Sequence, residues 1–76
     1  MPRLPVVSGR ELAKALAQVG FDAVRQRGSH VTLVNRDTRR TTVVPVHGNR
    51  DLPPGSLMAI LREAGITPDD LRQLLR

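Results

Sequence analysis

Cysteine is absent from the 76 residues. Its absence excludes a disulfide scaffold, a Cys-ligated zinc site, a thiol nucleophile and an iron–sulfur cluster. Aromatic residues are nearly absent too. Phe21 stands alone, without Trp or Tyr, which excludes an RNA platform of stacked rings. No apolar run approaches the roughly 20 residues of a membrane span, so no membrane partner is expected. Met1-Pro2-Arg3-Leu4-Pro5-Val6-Val7 lacks the apolar core of a signal peptide, and the expected compartment is the cytoplasm. Internal repeats, low-complexity stretches and linkers are missing as well. A chain of this length has room for one small domain, expected over residues 1–76. The hydrophobic fraction of 39% allows a thin core.

What the chain has is positive charge. Twelve Lys+Arg against seven Asp+Glu leave a formal +5 at pH 7. Such a balance points to a polyanionic partner, either nucleic acid or an acidic protein. Lys14 is the single lysine, so eleven of the twelve basic residues are arginine. The planar guanidinium fork suits phosphate and carboxylate alike, although a GC-rich genome produces the same bias.

Residues 1–7 form an extended lead-in, because Pro2 and Pro5 disfavour helix around them. Ser8-Gly9-Arg10-Glu11 fits a capping box, and a helix is predicted over residues 9–19. Leu12, Leu16 and Val19 make its apolar stripe, with Arg10, Lys14 and Gln18 toward solvent, and Gly20 stops it. Phe21–Arg27 is predicted as a strand and Gly28-Ser29 as a turn. His30–Val34 is a second strand, with Val31 and Leu33 on one face and His30 and Thr32 on the other. A polar connection, 35–39, leads to a third strand, Arg40–Val44, ended by Pro45. Short turns imply an antiparallel meander. A loop from Val46 to Asp51 precedes a helix that begins near Pro53-Pro54 and carries Leu57, Ile60, Leu61 and Ala64, closed by Gly65. Thr67-Pro68-Asp69-Asp70 caps a last short helix with Leu71, Leu74 and Leu75. The expected fold is α+β: three antiparallel strands, helices on one face, the other face open.

Histidine is the side chain that titrates near neutrality, and the chain has two, His30 and His47. His30 opens the second strand on the face away from Val31 and Leu33, with Arg25 and Arg27 just before the turn. An imidazole beside guanidinium groups has what metal-free RNA cleavage requires. It can take the 2′-hydroxyl proton or protonate the leaving oxygen, while arginine binds the phosphorane. His30 can equally be a polar strand-end residue without a role. His47 can be a second acid–base group, a phosphate contact or a turn cap. Two histidines without a nearby carboxylate cluster make a poor zinc site. Arg36, Arg39 and Arg40 form either a solvated hairpin tip or a clamp on a nucleic-acid backbone.

Taken together, these residues resemble the HicA, or YcfA-like, family of bacterial toxins. The similarity runs from Ser8 to about Leu75. It includes Ser8-Gly9-Arg10-Glu11-Leu12, Val19-Gly20-Phe21, Arg25-Gln26-Arg27-Gly28-Ser29-His30, Val43-Val44-Pro45-Val46-His47 and Leu52-Pro53-Pro54-Gly55-Ser56-Leu57. Gly28-Ser29-His30 followed by Pro45-Val46-His47 is the most specific part. The sequence departs from many members at Val31, where another histidine or a larger side chain is common, and in its scarcity of lysine.

The resemblance implies a double-stranded-RNA-binding-like fold, α-β-β-β-α, here with an extra short C-terminal helix. It implies an mRNA interferase, a toxin endoribonuclease that inhibits translation, neutralised by a HicB-type antitoxin. The family's catalytic histidine corresponds to His30. Lys14, Arg25, Arg27 and Ser29 are the expected RNA-binding residues, with His47 as a secondary candidate. Neither metal nor organic cofactor is implied. The antitoxin is expected to cover the His30 face. The alternatives are a non-catalytic double-stranded-RNA-binding module and a small domain whose basic face meets an acidic protein. Binding modules need charge and shape but no imidazole, so His30 separates the readings.

Overall fold

The computed structural model describes residues 4–76, so the first three residues of the expected lead-in lie outside the described residues. Ser8 starts the first helix, α1 (Gly9–Ala17), through a complete capping box. Glu11 N–H donates to Ser8 Oγ at 3.1 Å, and Ser8 N–H donates to Glu11 Oε1 at 2.8 Å. Leu12, Ala15 and Leu16 turn into the core. Val19, expected to continue their stripe, does not. The helix stops at Ala17, and the Val19 N–H bonds the Leu16 carbonyl at 3.1 Å, a tighter i→i−3 closure. That closure leaves the Val19 side chain 39% exposed. Gly20 then takes φ 102, a backbone state that glycine adopts without steric cost.

Three strands follow in the order β1-β2-β3, all antiparallel. They are β1 (Phe21–Arg27), β2 (His30–Asn35) and β3 (Thr41–Pro45). The β2–β3 connection is organised by Asn35, only 6% exposed. Its Oδ1 accepts from the Asp37 and Thr38 N–H groups at 2.8 and 2.9 Å. Its Nδ2 donates to the Val19 carbonyl at 2.9 Å, tying the hairpin to the end of α1. Buried amides persist when every polar atom is satisfied, and this one is.

The helices α2 (Pro54–Ala64) and α3 (Pro68–Leu74) complete the chain. α3 starts with a capping box between Thr67 and Asp70. The core gathers Leu12 and Leu16 of α1, Phe21, Leu33 and Val44 of the sheet, Leu57, Ile60 and Leu61 of α2, and Leu71 of α3. Thr42, 2% exposed, sits among them and donates its hydroxyl to Glu63 Oε1 at 2.6 Å.

One close approach matters for the site. A Cβ placed on Gly9 would lie 1.9 Å from the Pro45 carbonyl oxygen. Only glycine lets the start of α1 rest on the end of β3. The N-terminal segment and the loop after β3 are also joined: Leu52 N–H donates to the Val7 carbonyl at 2.8 Å, and Ser8 pairs with Asp51 in an antiparallel bridge. The architecture is α+β, α-β-β-β-α with an additional C-terminal helix, as the family resemblance implies. Among the described residues no helix is long and apolar enough to cross a membrane.

Candidate active site

Alternation assigns the two faces of the sheet. Val31 pairs with Val44 and Leu33 with Thr42, and these four point toward the helices. His30 pairs with Pro45 and Thr32 with Val43, and these point away. His30 is exposed, as its expected face requires.

β1 does not follow simple alternation. Phe21 and Ala23 pair with Asn35 and Leu33 on the helix side. Unbroken alternation would send Arg25 and Arg27 to that side as well. The register shifts between Ala23 and Arg25, so that Val24 is an extra residue, 60% exposed. A bulge of one residue exchanges the faces of everything beyond it. Arg25 therefore pairs with Thr32 and Arg27 with His30. Directly opposed side chains share a face, with Cβ atoms about 5 Å apart. Both guanidinium groups thus join His30 on the open face. Asp22 also faces this way, opposite Val34, and its charge is met by Arg36 at 2.8 Å.

The β1–β2 turn is two residues long, Gly28 and Ser29, with Gly28 at φ 54. Beyond β3 the Val46 N–H donates to the Ser29 carbonyl at 2.6 Å, extending the pairing by one residue. His47 follows, and its Nε2 shares a hydrogen bond of 3.2 Å with the Ser29 hydroxyl. Its ring centroid lies 6.3 Å from that of His30, with the planes at 83°. The two histidines, 17 positions apart in the sequence, are neighbours in the fold.

Two hollows meet beside them. One of about 430 Å³ runs between β3 and α2 and reaches His30, with Val43, Pro45, Ser56 and Glu63 among its walls. The other, about 310 Å³, is lined by His47, Arg50 and Asp51, and shares Pro45 and Ser56 with the first. From the sequence, Ser56 has no Ser-His-Asp context and Arg50 is only a loop residue, so neither was a candidate. The Pro53-Pro54 pair does mark a helix start, which places Ser56 in the first turn of α2. Nothing local to Arg50 points to the site.

Lys14 is exposed on α1, as its place off the apolar stripe predicts, but on the other side of the sheet from His30. It lies on α1, bordering a hollow between α1 and β1 together with Arg10, Ala13, Gln26 and Val31. Gln26 and Val31 oppose each other on the helix side of the sheet. Lys14 is therefore exposed on the helix side of the sheet and does not join Arg25, Arg27 and His30. The physical reason is the same alternation: a residue on the helix layer reaches the far face only around a sheet edge. Ser29 is at the site, but its hydroxyl is turned to His47. Among the described residues no group of three or more His, Cys, Asp or Glu side chains could hold a metal ion.

A family model for the HicA toxin of bacterial toxin–antitoxin systems matches residues 9–66. The chain belongs to the HicA toxin family. The match takes in α1, the whole sheet, both histidines and α2, so every residue of the candidate site lies within the HicA region. No curated protein matches this HicA chain at a significant level. Membership in a toxin–antitoxin family makes the protein a toxin with an antitoxin as its partner.

Proposed function

We propose that this HicA toxin is an endoribonuclease that cuts mRNA and thereby inhibits translation, with His30 as an acid–base group and Arg25 and Arg27 as phosphate contacts. The observation that carries this reading is the β1 bulge. It gathers two arginines and a histidine on the one sheet face that the helices leave uncovered. An RNA phosphate held by the guanidinium groups would lie against the imidazole. His30 would then take the 2′-hydroxyl proton as that oxygen attacks phosphorus, leaving a cyclic phosphate and a 5′-hydroxyl. A HicB-type antitoxin with an acidic surface would neutralise the toxin by covering this face, since charge complementarity and occlusion coincide there.

The experiment is cleavage of RNA by purified protein with EDTA present, alongside growth after induction in cells. The wild type is expected to cut RNA and arrest growth. His30→Ala is expected to fold, to bind RNA and antitoxin, and to lose about 10²- to 10⁴-fold in cleavage rate. An unchanged rate in His30→Ala would remove His30 from the chemistry. RNA that is bound and never cut by the wild type would favour the non-catalytic double-stranded-RNA-binding module instead.

A further inference from the structure

His47 comes to the site from outside the strands. The bond from Val46 N–H to the Ser29 carbonyl holds the chain against the β1–β2 turn, and His47 is delivered beside His30. A centroid separation of 6.3 Å is too long for a hydrogen bond between the rings. It suits two groups that each touch one phosphoryl centre. His47 Nε2 is engaged by Ser29 at 3.2 Å. Its Nδ1 makes no hydrogen bond to another described residue, and the ring borders the hollow that also holds Arg50 and Ser56.

We propose that His47 is the second acid–base group of this site, oriented by Ser29, and that it protonates the leaving 5′-oxygen. The inference rests on the ribonuclease reading above. The 2′-oxygen forms a bond to phosphorus as His30 takes its proton. The bond from phosphorus to the 5′-oxygen breaks as the His47 imidazolium gives that oxygen a proton. The products are a 2′,3′-cyclic phosphate and a 5′-hydroxyl. His30 ends protonated and His47 neutral, and exchange with water restores both. An imidazolium donates from both nitrogens. Nε2–H would be accepted by the Ser29 hydroxyl, leaving Nδ1–H for the leaving oxygen. Ser29 is thus a positioning residue, acting through His47.

A leaving-group substitution tests this directly. RNA with sulfur in place of the bridging 5′-oxygen expels a thiolate, which needs no proton from the enzyme. His47→Ala should slow cleavage of ordinary RNA by about 10²- to 10⁴-fold and cleavage of the sulfur substrate by less than about tenfold. His30→Ala should slow both. Ser29→Ala should lose part of the rate on ordinary RNA and keep it on the sulfur substrate, and Ser29→Thr should restore it. If His47→Ala fails to fold, His47→Gln carries the same comparison. Equal slowing on both substrates by a folded His47 variant overturns the assignment of His47 alone. A wild type that cuts neither substrate overturns the ribonuclease reading and this inference with it.

Discussion

The two faces of the β-sheet come from the same three strands and do opposite work. The helix face carries Leu33, Thr42 and Val44, each nearly closed to solvent. The open face carries Arg25, Arg27, Thr32, His30 and Val43, with Val43 45% exposed. Substitutions on the first face should act through stability, because they remove packed volume. Substitutions on the second should act on charge and chemistry and leave stability nearly untouched. On the ribonuclease reading proposed above, each face answers to its own measurement, melting for one and RNA for the other.

The strongest challenge to that division is Leu33→Ala. Leu33 sits in the central strand at 2% exposure. Truncating such a side chain costs about 2–5 kcal/mol through lost burial and the cavity left behind. Chemical denaturation should show that loss. A cost under about 1 kcal/mol would mean the helix face is not the core face. Gly9→Ala comes next. Its added methyl meets the Pro45 carbonyl, and forcing α1 off β3 should cost about 1–3 kcal/mol. Because Pro45 pairs with His30, this variant should also lower RNA cleavage, linking the two faces at one point.

A smaller effect is expected from Arg25→Ala combined with Arg27→Ala. Losing two phosphate contacts should lower the slope of log binding constant against log salt by about 1.5. The melting temperature should hold. An unchanged slope would take both arginines off the RNA surface. The smallest effect belongs to deletion of Val24. The deletion restores regular pairing and keeps Arg25 opposite Thr32, so RNA binding should persist. The stability change should stay within about 1 kcal/mol, since the side chain removed is 60% exposed. Loss of RNA binding in a folded deletion variant would show that the bulge shapes the surface beyond setting the phase of the strand.

The elements of this protein were legible in order and type, though not at every end: β3 begins at Thr41 and keeps Pro45, expected to end it, as the partner of His30. Both capping boxes, Ser8 with Glu11 and Thr67 with Asp70, formed as their spacing predicts. The alternation in His30–Val34 correctly placed His30 away from Val31 and Leu33. These features depend on groups within about four positions of each other, so local sequence contains them. Val19 was misplaced because the final turn of α1 tightens, and the side chain then leaves the stripe. The candidate site was only half legible. His30, Arg25 and Arg27 could be named from the Arg25–His30 segment, but not the face that the arginines occupy.

What the sequence by itself determined, then, is the order of elements, their caps, the basic charge and the candidate histidines. Tertiary structure alone decided three things. The bulge at Val24 turned Arg25 and Arg27 toward His30. The contact between Val46 and Ser29 brought His47 to within 6.3 Å of His30. The layering put Lys14 on the other side of the sheet. Each depends on which backbone groups pair across strands or between layers. Such pairing is settled by packing of the whole chain, where a shift of one residue exchanges the faces of a strand.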